Sequence, residues 1–224
     1  MTFPNRCSYC GHVFPPLTLS SSTLARLLQV LTEGSPGRAS AEVKADTGCS
    51  DADAEKWIEH FQSCANSWLL TEEDMRVIAL VDNAFGSTPK PMHFTNYKHC
   101  DECKEHDDTL TSQTRVSISR EHLGSMGWDP ITFADAEGIA YYFPALVRFA
   151  LRPAIGEREW YAVQLLWHLT YDADANKLFR GFDACQRQAV YDFLAHLAAS
   201  RERELDDHLV KDQIESAFKL WKQA

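Results

Sequence analysis

No stretch of the 224-residue chain has the roughly 18 consecutive apolar residues that a membrane-spanning helix needs. Its opening, MTFPNRCSYC, lacks the charged segment and apolar run of a secretory signal, so a cytoplasmic protein is expected. An excess of positive charge is missing as well. Lys and Arg number 22 against 32 Asp and Glu, a net charge of −10 at pH 7. Divided after residue 70, the first part has 5 basic and 7 acidic residues (−2), the second 17 and 25 (−8). Neither part offers the basic surface that gains affinity by displacing counterions from phosphates, so the charge disfavours nucleic acid as a partner class. Gly-rich phosphate loops, Gly-x-Ser-x-Gly and His-Glu-x-x-His are all absent, as is the His-x-Glu with Pro-Cys-x-x-Cys of zinc deaminases. No segment alternates with period two for long, beyond a weak hint in TRVSIS, and this removes sheet architectures.

What is present is ordinary globular composition, 45% apolar and 24% charged, with helical spacing almost throughout. Ser22 or Thr23 caps a helix carrying Leu24, Leu27, Leu28 and Leu31, which TEGSPG breaks. A second helix over about 38–46 stops at Gly48, expected in the left-handed conformation. A third starts from Ser50 or Asp51 and carries Trp57, Ile58, Phe61 and Cys64. Thr71 with Asp74 forms a capping box, and Met75, Ile78, Val81 and Phe85 mark the buried face behind it. SISREHLG reads as a short helix and GWDP as a tight turn. DAEGIAYYFPALVRFAL, apolar nearly all round, reads as a central buried helix that Pro144 kinks or divides. Asp183 and Gln186 cap a helix that buries Val190, Phe193, Leu194 and Leu197. The last helix presents Val210, Ile214, Ala217, Phe218 and Trp221 as one stripe. His168, Tyr141–Phe143 and Trp160–Tyr161 are read as core, and Cys49 and Cys185 as small buried or cap-adjacent residues. The expected fold is mainly α: a small N-terminal zinc knuckle with short helices, residues 1–68, packed on a larger irregular helical domain, residues 69–224.

Seven cysteines are an odd count that fits a reducing compartment, and four of them form two Cys-x-x-Cys pairs. CSYCGHVF is the half-site of a zinc ribbon. Two-residue spacing turns both thiolates toward one tetrahedral ion, and the following glycine frees amides to donate to sulfur. Cys7 and Cys10 therefore stand as ligands of structural Zn²⁺. Completion could come from His12, from His60 with Cys64, or from Cys100 and Cys103 far downstream. Alternatively Cys100 and Cys103 join His93 and His106 in a Cys₂His₂ site of their own within HFTNYKHCDECKEHDD. His99 is a poorer candidate there, because neighbours in regular backbone rarely both reach one small ion. A catalytic reading, a metal-dependent hydrolase working through the His93–His106 cluster, would need an open metal position beside Glu102, Glu105, Asp107 or Asp108. Runs of carboxylates are usually solvated loops, so catalysis ranks second.

Two resemblances rest on these stretches. Within residues 24–64, ASAEVKADTGCSDADAEKWIEHF resembles the helix pair of the C-terminal domain of the bacterial ribosomal stalk protein. The basic factor-binding surface of that domain is replaced here by acidic SDADAEKW. The same pattern mimics a DNA-reading helix–turn–helix, the third-ranked function, which the local charge opposes. From residue 74 to 151, VDNAFGSTPKPMHFT, HCDECKEHD, GWDPITF and EGIAYYFPALVRFAL resemble an uncharacterised bacterial domain family, and CQRQAVYDFLAHL resembles that family's C-terminal part. That resemblance implies a mainly helical fold and no established activity. The function expected from the sequence is a zinc-stabilised interaction or adaptor module, with a protein partner or a second copy of itself, and no membrane.

Overall fold

The computed structural model describes residues 2–3, 17–18, 36–64, 70–152 and 159–222. The chain is mainly α, with eleven α-helices among the described residues and one short antiparallel pair, β1 (Thr2–Phe3) and β2 (Leu17–Thr18). Two compact units separate, the first within residues 1–69 and the second over residues 70–152 and 159–224. None of the helices formed by described residues is long and apolar enough to cross a membrane. The expected helix at residues 24–31 lies outside the described residues.

In the first unit α1 (Pro36–Thr47) packs on α2 (Asp51–Cys64). Pro36 opens α1, where its missing N–H leaves nothing unpaired. Gly48 closes it at φ +68°, its N–H donating to Lys44 O at 2.8 Å, which is the left-handed stop expected of that glycine. Ser50 caps α2 by accepting from the Asp53 N–H at 3.2 Å. Ala39 and Val43 from α1, with Ala54, Trp57 and Ile58 from α2, are buried. The side chains of His60, Phe61 and Cys64 lie outside the described residues.

The second unit is built around α6 (Ala136–Ala150), twelve of whose fifteen residues are buried. It runs unbroken through Pro144. α3 (Glu72–Phe85), α7 (Tyr161–Thr170) and α8 (Lys177–Gly181) pack against it, while α9 (Ala184–Ser200) lies on α3 and α11 (Lys211–Trp221) on α7 and α9. α4 (Asp101–Ser112), α5 (Pro130–Phe133) and α10 (Glu202–Asp207) complete the set. The capping box Thr71–Asp74 is present on α3, and Asp183–Gln186 on α9. Replacing Asp183 by Ala should cost about 1 kcal/mol in urea unfolding, since it frees the Gln186 N–H it now accepts at 2.8 Å.

Few of these helices end in a left-handed glycine, and their orphan carbonyls are taken by side chains from elsewhere. Arg115 donates to Phe85 O, Gly86 O and Thr88 O at the end of α3. Tyr142 Oη donates to Leu110 O and Gln113 O behind α4, and Lys90 Nζ to Thr111 O. Lys177 Nζ serves Thr132 O and Ala134 O after α5. Trp160 Nε1 reaches Ala150 O at the end of α6, and Trp221 Nε1 reaches Leu169 O at the end of α7. These bonds tie one element's polar end to another element's body, so the unit is cross-linked through its helix termini.

Three local readings differ from the structure. Met75 is 53% exposed; the buried face of α3 is Asp74, Val77, Ile78, Val81 and Phe85. SISREHLG forms turns instead of a helix, because the His122 ring accepts the Ser119 N–H at 3.0 Å and satisfies the backbone locally. DECKEHDDTL, whose acidic residues read as solvated loop, is the first turn and body of α4.

Candidate metal centre

Phe94 fixes the chain ahead of α4. Its ring packs where a Cβ on Gly138 would stand 2.8 Å from Cδ1, and its carbonyl accepts the Asp135 N–H at 2.7 Å. Only glycine at 138 lets this segment lie so close to α6. Asp107, nearly two turns inside α4, then grips the same segment. Its Oδ1 accepts from Phe94 N (2.6 Å) and Thr95 N (3.0 Å), and Thr95 Oγ1 donates to Cys103 O at 2.7 Å. The loop is thereby held antiparallel along the helix face, and its last residues are delivered to the helix start.

Cys100 sits there as N-cap, with φ −159° and ψ 171°. Its Sγ accepts the Cys103 N–H at 3.5 Å and lies 3.3 Å from Cys103 Sγ. His99 Nδ1 lies 3.6 Å from Cys103 Sγ. The three ligand atoms fall within 4.8 Å of one another, with His99 and Cys100 exposed and Cys103 8% exposed. A tetrahedral zinc with bond lengths of about 2.3 Å to sulfur and about 2.05 Å to nitrogen sets ligand separations of about 3.8 Å (S–S) and about 3.6 Å (S–N). The Cys100–Cys103 separation of 3.3 Å and the His99–Cys103 separation of 3.6 Å lie close to those values. The Cys103 N–H, then the Cys103 thiol and His99, hold the Cys100 thiol below its ordinary value. The shared sulfur contact, then burial, pushes the Cys103 thiol up. The first proton to leave this pair comes off the exposed sulfur at the helix start, where the free N–H groups point.

The other two histidines read as ligands lie elsewhere. His93 Nδ1 bonds Asp107 Oδ2 at 2.7 Å and its ring stacks on Tyr97 at 3.8 Å. His106 is buried between Phe133 and Trp128, ring centroids 4.4 and 4.8 Å away, with Nε2 3.9 Å from Glu102 Oε1. Neither joins the two sulfurs. His99 takes that place because the extended backbone at Cys100 aims neighbouring side chains differently from a helix. Cys7, Cys10 and His12 lie outside the described residues. His168 is a core residue as expected, 5% exposed and bonded through Nε2 to Asp129 Oδ2 at 2.6 Å.

The fold and this cluster together define a mainly helical protein whose Cys-x-x-Cys pair opens a helix with a histidine beside it. The chain belongs to a family of unknown function, DUF6714, which matches residues 73–224 and so takes in the whole of the cluster. No curated protein and no solved structure matches the chain.

Proposed function

We propose that the protein is a cytoplasmic, zinc-stabilised interaction module in which His99, Cys100 and Cys103 hold a structural Zn²⁺ ion. The observation that carries the reading is the convergence of one imidazole and two thiols within 4.8 Å. Soft thiolates with imidazole are a donor set that selects zinc over calcium or magnesium. A structural role follows from where the ligands sit. His99 and Cys100 end the loop that Asp107 and Thr95 already tie to α4, and Cys103 belongs to α4 itself, so an ion there adds one more tether to the same junction. The Cys7–Cys10 knuckle is proposed to hold zinc by the same thiolate chemistry. A protein partner, or a second copy of the chain, is favoured by the acidic balance of −10 and by exposed apolar side chains such as Met92, Trp128 and Leu209.

Zinc per chain, measured on protein reconstituted and gel-filtered, tests the reading. Cys100→Ser with Cys103→Ser should bind one zinc fewer than the wild type, whatever Cys7 and Cys10 retain, and His99→Ala should weaken the same site. An unchanged zinc content in the double variant would overturn the proposal.

A further inference from the structure

The two sulfurs have a second use that zinc binding does not require. Cys100 is exposed at the start of α4, while Cys103 is 8% exposed, and their sulfurs lie 3.3 Å apart. One thiol is thus open to a reagent from solvent, and the other is screened from it yet within reach of the first. A disulfide bond spans about 2.05 Å, so closing the pair requires the sulfurs to approach by little more than 1 Å. Such asymmetry separates an attacking thiol from a resolving one. The helix that Cys100 opens also carries charge close to it in the chain: Asp101, Glu102, Glu105 and Asp108 stand against Lys104 within its first eight residues.

We propose that Cys100 and Cys103 are a reversible dithiol–disulfide couple that exchanges with small disulfides, cationic ones in preference to anionic ones. Cys100 Sγ attacks one sulfur of R–S–S–R. That S–S bond breaks, RS⁻ leaves, and a mixed disulfide forms on Cys100. Cys103 Sγ then attacks Cys100 Sγ, the mixed disulfide breaks, and a second RS⁻ leaves. The two thiol protons end on two RSH molecules, and two electrons have passed from the protein pair to the small disulfide. In zinc-loaded protein the same sulfurs are engaged, so oxidation and zinc occupancy exclude each other; that coupling rests on the metal reading above, whereas the exchange itself does not.

The test uses the full chain, stripped of metal by chelator and reduced, with cystamine as the cationic disulfide and oxidised glutathione as the anionic one. Trypsin releases His99–Lys104, which holds both cysteines and none of the other five. In the wild type this peptide should lose two hydrogen atoms and gain no adduct, and dithiothreitol should restore it. Cys103→Ser should accumulate a mixed disulfide on Cys100, and Cys100→Ser should leave Cys103 unmodified. Cystamine should react faster than glutathione at low salt, with the gap closing as salt rises. A wild type that stops at the mixed disulfide, or does not react, overturns the couple. So does uptake by Cys103 in the Cys100→Ser variant. Glutathione reacting as fast as cystamine overturns the charge preference. Exchange without zinc binding sustains the couple and rejects the metal reading; zinc binding without exchange does the reverse.

Discussion

Asp74→Ala is expected to lower unfolding stability by about 3–5 kcal/mol, read as a fall in the urea midpoint with an unchanged slope. Asp74 is fully buried in the first turn of α3. Its Oδ1 pairs with His196 Nε2 at 2.6 Å, and its Oδ2 accepts from Thr71 N at 2.8 Å and from Arg201 Nη2 at 2.9 Å. Arg201 is itself 8% exposed and donates to Leu151 O at 2.7 Å, just past the end of α6. One carboxylate therefore joins α3, α9 and the end of α6. Its removal leaves a guanidinium charge buried without its anion, which costs far more than the pair contributes in net terms. The double variant Asp74→Leu with Arg201→Met, which removes both charges, should recover part of the loss.

The same group sets an acid limit. Burial by itself pushes the Asp74 carboxyl up, but hydrogen bonds from His196, Thr71 and Arg201 outweigh that and leave it below the usual carboxylate value. The folded value is below the unfolded one of about 3.9, so the contribution is whole above about pH 4 and is lost as pH falls through the folded value. The stability gap between wild type and Asp74→Asn should shrink as pH falls below about 4. A gap that widened over that acid range would contradict the assignment.

Local signals in the sequence carried furthest. Both capping boxes were readable because each is a contact three residues long, Thr71 to Asp74 and Asp183 to Gln186. Helix α4 was harder. Cys103, His106, Asp107 and Leu110 fall at i, i+3, i+4 and i+7, and all four are buried, yet three of them are polar or titratable and do not register as a core face. The same burial of a charge shifted the reading of α3, where Asp74 occupies the interior and turns Met75 outward. His99 was discounted by a rule that holds in regular backbone, whereas Cys100 is extended. The helix-end bonds were out of reach, since Tyr142 lies 32 residues from Leu110 and Trp221 lies 52 from Leu169. No periodicity in the chain reports which distant donor meets which carbonyl.

Trp221→Ala should also cost about 3–5 kcal/mol, and Trp221→Phe about 1–3 kcal/mol, because the two changes remove different things. The indole is fully buried. Its ring meets Phe179 edge-on at 5.4 Å and Phe182 at 6.0 Å, and Phe182 in turn packs on Phe85 and Phe143 of α3 and α6. Alanine empties that volume, and of the two rings against it Phe182 is already held by Phe85 and Phe143, so it cannot collapse freely into the space. Phenylalanine keeps most of the packing but has no N–H, so Leu169 O at the end of α7 loses its 2.9 Å partner while remaining inside the unit. If the indole acted through volume alone, the Phe variant would still lose stability to its smaller ring, but α7 amides near Leu169 would exchange no faster relative to those of α3 than in the wild type. Faster exchange confined to those α7 amides in Trp221→Phe would show that the carbonyl is what the tryptophan is there to satisfy.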